Sequence, residues 1–198
     1  GPGYGFMTDI ILDNNPKKII IIEKDNNLTN FLKNKYKTNK KVSVIGSDIL
    51  KFDFNKYNKI TIISNLPYNV STKIILYLFE FRHNIDEMIL MIQKEVAKKF
   101  DYNLKNMNKY KFLTKIVSDF SRCFDVSPKV FFPKPKILST VVKFKFNNKD
   151  INFQKAKYFS TQIFKNIRKK ISNNLNNKIC NDLTNKRVNE LNIKELLI

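Results

Sequence analysis

Three short runs of β-branched residues punctuate the first seventy positions. Ile19 to Ile22 ends at Glu23, Val42 to Ile45 stops just before Asp48, and Ile60 to Ile63 leads into Ser64-Asn65. Runs of that length bounded by polar residues read as strands buried on both faces. Residues 6–13 and 26–36 carry helical spacing instead, with Leu28, Phe31, Leu32 and Tyr36 on one apolar face. The alternation predicts an α/β fold with a parallel, doubly wound sheet, whose ligands lie beyond the carboxyl ends of the strands. Further on, the pattern predicts a helix over Ser71 to Phe81, a strand over Glu87 to Ile92, a helix from Lys94 to Phe100, helix over 111–120 and a half-buried strand over Ser139 to Phe146. The prolines of Phe131-Phe132-Pro133-Lys134-Pro135-Lys136 predict a rigid loop. Near residue 150 helical patterning takes over, which divides the chain into a first domain over 1–149 and a small helical domain over 150–198.

Composition narrows the possibilities. The chain has 198 residues, 42% of them apolar and 27% charged, which is ordinary globular material. No apolar run reaches the roughly 20 residues a membrane helix needs. Cys123 and Cys180 show no C-x-x-C spacing and His83 is the single histidine, so neither a metal site nor a histidine general base is expected. Cys123 reads as a reduced core residue, and His83 as a solvated one in a polar loop. The net charge is +20, and its distribution is uneven: 15 basic and 10 acidic residues over 1–98, against 22 and 7 over 99–198. A cationic half of this kind concentrates polyanions and points to nucleic acid.

The chain opens on Gly1-Pro2-Gly3-Tyr4-Gly5 ahead of the first helix. A glycine turn there lets the backbone approach a nucleotide-like ligand closely. Glu23, some 20 residues on at a strand end, suits the two hydroxyls of a ribose, and Asp48 after the next run suits an adenine amino group. With no G-x-x-x-x-G-K-[ST] string, the adenosine such a cradle holds is better assigned to S-adenosylmethionine than to ATP. The next run ends in Asn65-Leu66-Pro67-Tyr68. A purine exocyclic amine is a poor nucleophile because its lone pair is delocalised into the ring. The Asn65 side-chain carbonyl and the Leu66 backbone carbonyl, stiffened by Pro67, can hold that amine toward tetrahedral geometry, while Tyr68 offers a ring face for the base. As plain structure, the same string is a strand-ending turn with a buried tyrosine.

Gly1-Pro2-Gly3, Glu23, Asp48 and Asn65-Leu66-Pro67-Tyr68-Asn69-Val70-Ser71-Thr72 together resemble the motifs of the KsgA (RsmA) family of small-subunit ribosomal RNA adenine dimethyltransferases. Gln93-Lys94-Glu95-Val96, Phe131 with Pro133-x-Pro135-Lys136, and Arg168-Lys169-Lys170-Ile171-x-Asn173-x-Leu175 extend the likeness, and Arg187 to Leu191 is similar to the family's closing helical segment. The related Erm family, which acts on large-subunit rRNA, shares the cradle and an N-[IL]-P-Y string. Phe131 to Lys136 followed by Ser139-Thr140-Val141-Val142 favours the small-subunit family. The family carries a central strand and a G-Q-N-F-like string ahead of the glycine loop, where this chain begins. It also tends to Y-G-R-L where this chain has Tyr110-Lys111-Phe112-Leu113, a change expected to alter local rRNA contact.

The resemblance implies a Rossmann-like methyltransferase sheet and S-adenosylmethionine-dependent dimethylation of two adjacent adenosines near the 3′ end of small-subunit rRNA. Carried over by position, Gly1, Gly3, Glu23, Lys24, Asp48, Ile49 and Asn65 hold the cofactor. Asn65, Leu66, Pro67 and Tyr68 hold the target amine, and Phe131 closes on the flipped adenine. Lys94, Lys134, Lys136, Arg168, Lys169 and Lys170 contact RNA. The implied setting is a monomer acting on a pre-30S-type particle in bacterial cytoplasm, with an organelle as the alternative. Two other readings stay open: an Erm-like or DNA adenine methyltransferase, although DNA enzymes more often carry N-P-P-Y or D-P-P-Y, and a non-catalytic transcription or assembly factor on the same fold.

Overall fold

Strand and helix alternate in the order the sequence predicts, beginning with α1 (Phe6–Asp13), β1 (Ile19–Glu23), α2 (Asn26–Lys35), β2 (Val42–Gly46), β3 (Ile60–Asn65), α3 (Ser71–Glu80) and β4 (Ile85–Gln93). There follow α4 (Lys94–Phe100), α5 (Lys109–Val117), β5 (Ser118–Val126), β6 (Ser139–Phe146) and α6 (Phe153–Ile163). The computed structural model describes residues 1–132, 134–147, 149–171, 187 and 188. Pro133, Asn173, Leu175, Cys180 and most of 187–191 lie outside the described residues, as does most of the predicted helical domain beyond α6. Helix starts are set locally: the side chains of Asp25, Asn108 and Asn152 each accept a backbone N–H at the head of α2, α5 and α6.

The hydrogen bonding departs from the single parallel sheet that was expected. β1 and β2 pair in parallel as a two-stranded sheet, and a separate four-stranded sheet runs β3-β4-β6-β5. Within it β3 and β4 are parallel, whereas β6 runs antiparallel to both β4 and β5. The expected helix over 111–120 also ends early. Residues 118–126 form β5, because Ser118 to Val126 pairs with β6 from Phe146 back to Ser139. A register shift lies between Arg122 and Phe124, and Cys123 there is exposed, contrary to the core position expected of it. His83 is exposed, as expected.

One aromatic cluster joins sheet and helices. Phe79 of α3 is fully buried and meets Phe100, Phe144, Phe146 and Phe153 with ring centroids 6.2, 5.6, 5.7 and 6.2 Å away. Phe153 carries α6 into the same core, and Lys157 of α6 pairs with Glu80 of α3 at 2.7 Å. Arg82, also buried, donates to the Ile151 carbonyl and lies over the Phe153 ring.

Lys111 is held inside the fold. It is buried in the first turns of α5, and its ammonium donates to the carbonyls of Leu104, Lys105 and Asn106 at 2.9, 2.6 and 3.1 Å. The lysine that stands where the family tends to glycine therefore binds a loop of its own chain. Burial pushes its pKa down. Lys111→Met keeps the stem and removes the donors, leaving three carbonyls to find water. We expect a loss of about 1–3 kcal/mol in denaturant titration, and an unchanged midpoint would show that the carbonyls need no ammonium.

Candidate active site

The glycine loop is held from beneath by α2. Gly3 and Gly5 have φ of +56° and +85°, and a Cβ on Gly5 would stand 2.4 Å from the Tyr36 hydroxyl. That hydroxyl donates to the Gly5 carbonyl at 3.0 Å and bonds Asp9 at 2.8 Å. Lys35 donates to the Tyr4 carbonyl at 3.1 Å and pairs with Asp9 at 2.6 Å. Hydrogen bonds from Lys35, then Tyr36, hold the Asp9 carboxyl below its ordinary pKa.

Glu23 ends β1 and is buried. Its Oε1 accepts the backbone N–H groups of Lys24 and Asp25 at 2.8 and 2.9 Å, which fixes the carboxylate. Oε2 faces the loop, 3.7 Å from where a Cβ on Gly1 would stand. The Ser47 N–H donates to the Glu23 carbonyl at 2.8 Å and so ties the ends of β1 and β2 together. Asp48 follows: its Oδ1 accepts the Leu50 N–H at 3.0 Å, and its Oδ2 pairs with Lys24 at 3.1 Å. The Leu50 N–H first, and then Lys24, lower its pKa. Ile49, next to it, packs against the main core. Gly1, Glu23, Lys24 and Asp48 are thus brought together. An acceptor oxygen aimed into a glycine loop suits a ribose diol, so these residues fit an adenosine-bearing cofactor.

Asn65 closes β3, opposite Met91 of β4, and is exposed. Its side chain makes no hydrogen bond among the described residues, so its carbonyl is open to a ligand. Leu66 is anchored, with its side chain buried and its N–H on the Met91 carbonyl at 3.1 Å. Pro67 is exposed, and the turn closes through Val70 N–H to the Pro67 carbonyl at 3.3 Å. Tyr68 is half-buried, and its hydroxyl shares a 2.7 Å hydrogen bond with Ser139, the first residue of β6. Phe131 is half-buried after a short 3-10 turn at Pro128–Val130, and makes no ring contact with Tyr68 among the described residues.

Sequence reading named Lys94 for RNA contact and quoted Ser139 and Thr140, but passed over Arg122, Asp125 and Phe132 on the same rim. The Lys94 N–H donates to the Leu138 carbonyl at 2.9 Å, and its ammonium pairs with Asp125 at 2.6 Å. Asp125 also accepts from Thr140 at 2.6 Å and pairs with Arg122 at 3.4 Å. These contacts, Lys94 first and Thr140 second, bring the Asp125 pKa down to about 2. Ser139 and Thr140 are fully buried. Phe132, overlooked beside Phe131, stands fully exposed between Phe131 and the exposed Lys134 and Lys136. Arg168, Lys169 and Lys170 are exposed, and Lys170 forms an isolated backbone bridge with Arg187. Among the described residues no cluster could hold a metal and no helix is long and apolar enough to cross a membrane.

The ribosomal RNA small subunit methyltransferase A of Malacoplasma penetrans (strain HF-2) is 41% identical over 179 residues, 86% of this chain and 64% of the relative. Its namesake in Pelagibacter ubique (strain HTCC1062) is 33% identical over 180 residues, 86% of this chain and 68% of the relative. The chain therefore spans about two thirds of the length of these relatives. Among solved structures, a dimethyladenosine transferase from Plasmodium falciparum superposes with a TM-score of 0.81 at 21% identity, covering 100% of this chain and 85% of the other. The 23S rRNA methyltransferase ErmE gives 0.75 at 17% identity, covering 98% and 87%. Both are likenesses of fold. The family model described as ribosomal RNA adenine dimethylase matches residues 1–197, and the chain belongs to that family.

Proposed function

We propose that the protein transfers methyl groups from S-adenosylmethionine to the exocyclic amines of two adjacent adenosines near the 3′ end of small-subunit rRNA, in a pre-30S-type particle in the cytoplasm. The observation that carries this is the Asn65-Leu66-Pro67-Tyr68 turn at the end of β3, with an open Asn65 carbonyl beside an anchored Leu66. The names of the relatives, ribosomal RNA small subunit methyltransferase A, support the choice of substrate over the Erm-like alternative. A pure binding role would leave that turn without a use.

When bound, the cofactor supplies a methyl group on a sulfonium, an electrophile that needs alignment more than a strong base. Gly1, Gly3 and Glu23 would hold its ribose end, with Lys24, Asp48 and Ile49 at the adenine. The carbonyls of Asn65 and Leu66 would accept hydrogen bonds from the amine N–H groups and draw the nitrogen lone pair out of the ring. As the nitrogen–carbon bond forms the carbon–sulfur bond breaks, and the proton the nitrogen sheds passes to solvent as the product leaves. Tyr68 and Phe131 would pack the extruded base, excluding water from the reacting nitrogen. The test is transfer of labelled methyl groups to unmethylated 30S particles, 50S particles and duplex DNA. Label confined to 30S rRNA adenines is expected; label on 50S particles or DNA instead would overturn the assignment.

The cations divide the work. Lys94, Lys134 and Lys136 border the rim, whereas Arg168, Lys169 and Lys170 follow α6, in the segment proposed as the RNA-gripping domain over 150–198. Replacing the last three by alanine is expected to weaken particle binding and to flatten its salt dependence by about 0.7 to 0.9 in log–log slope per lost phosphate contact. Single-turnover transfer on bound substrate should hardly change. An unchanged slope would make the cluster a solvated surface.

A further inference from the structure

Three consecutive residues at the opening of β6 bind three different parts of the rim. The Leu138 carbonyl accepts the Lys94 N–H at 2.9 Å, the Ser139 hydroxyl meets the Tyr68 hydroxyl at 2.7 Å, and the Thr140 hydroxyl donates to Asp125 at 2.6 Å. Asp125 in turn grips the Lys94 ammonium at 2.6 Å. Ser139 and Thr140 are both fully buried, so neither hydroxyl is there to meet solvent, and each is spent on one directed bond. Successive strand residues point to opposite faces. The two hydroxyls therefore reach around the end of the sheet from one short stretch of backbone.

That backbone is itself fixed. Ser139 pairs with Gln93 of β4 and Val126 of β5, and Thr140 pairs with Ile92 and Asp125. Tyr68 lies three residues beyond Asn65, and Lys94 directly follows β4. We infer that the opening of β6 is a positioning device, in which Ser139 fixes the direction in which the Tyr68 ring points beside the target base while Thr140, through Asp125, aims the Lys94 ammonium at a phosphate of the same RNA segment. The inference rests on the proposed methyl transfer, and adds to it the pair of residues that couples the base clamp to the backbone grip.

A hydroxyl pair worth one hydrogen bond explains why the clamp uses tyrosine and not phenylalanine. The ring face does the stacking, but a half-buried ring at the end of a turn is free to swing about its Cα–Cβ bond unless its far end is held. Lys94 presents the matching problem. Its long stem leaves the ammonium many rotamers, and the Asp125 carboxylate, itself oriented by Thr140, selects one of them. An ammonium has three donors, so the bond to Asp125 leaves others for phosphate.

The two arms make different predictions, read in the full chain with unmethylated 30S particles. Ser139→Ala and Tyr68→Phe should each lower kcat roughly three- to tenfold with KM little changed, and the double variant should be no slower than either single one. Ser139→Thr, which keeps the hydroxyl, should recover most of the rate. Thr140→Val should instead raise KM for the particle with kcat held. Lys94→Ala should lower the salt slope of particle binding by roughly 0.7, and adding Thr140→Val to it should cost nothing more. Thermal unfolding of each variant separates a folding defect from a positioning one, because a folding defect lowers the fraction of folded chain at the assay temperature and a positioning defect does not. Multiplicative losses in either double variant would overturn the inference while leaving the proposed transfer intact. Absence of transfer by the unaltered chain would overturn both.

Discussion

Asn65→Ala is expected to slow methyl transfer by about 10²–10³-fold, the range seen when one oriented hydrogen-bonding group is removed from a polar transition state, or about 2.7–4 kcal/mol in the barrier. The size follows from what the site offers. Leu66 contributes a backbone carbonyl that no substitution removes, and Asn65 contributes a side-chain acceptor at the end of β3. Losing it leaves the amine lone pair in conjugation with the ring. Particle binding should change little, since Asn65 carries no charge and the cations stand elsewhere on the surface. Single-turnover transfer at saturating cofactor, set beside equilibrium binding, checks both halves. More than a tenth of the original rate in the variant would remove Asn65 from the chemistry.

Phe79→Ala should produce the largest loss of stability, about 3–5 kcal/mol, as for other buried phenylalanines cut to alanine. Phe79 sits where α3, α4, β6 and α6 converge, with four aromatic rings against its own. Its removal opens a cavity that four rigid rings close poorly. For a chain of this size the melting temperature should fall by about 10 °C. Because Phe153 is among the four, α6 should loosen from the sheet first, which hydrogen exchange along 153–163 would report. Equal exchange throughout the chain would mean that α6 and the sheet unfold together.

The strands written as β-branched runs were legible, although their burial was not. β1, β2 and β3 lie where the runs of isoleucine and valine put them. But β3 leaves Thr61, Ile63 and Asn65 exposed along one face and β2 has no fully buried residue, contrary to the two covered faces expected of them. β6, by contrast, alternates so regularly that its limits, Ser139–Phe146, follow from the residues alone. β5 was hidden because Arg122, Cys123, Phe124 and Asp125 are all exposed and the register slips among them, so no period of two survives. The division into two sheets was equally invisible, since strand pairing depends on partners distant in sequence. At the site, the glycine turn, Glu23, Asp48 and the Asn65 turn carry local signatures. The partners that fix them do not: Tyr68 and Ser139 are 71 positions apart, Lys94 and Asp125 are 31. The burial of Lys111 was hidden for the same reason, because the three carbonyls its ammonium meets belong to a loop that only the fold brings around it.

The clasp of Tyr36 and Lys35 on the glycine loop has a kinetic consequence. Tyr4, Gly5 and Asp9 are bound to α2 by the protein's own donors, so the loop takes its left-handed turns without help from a ligand. Ordering a residue's backbone costs about 1–2 kcal/mol, and a loop that is already ordered spares the incoming molecule that search. Association at this end of the site should then be governed by encounter and desolvation, with no slow loop-closing phase following the first contact.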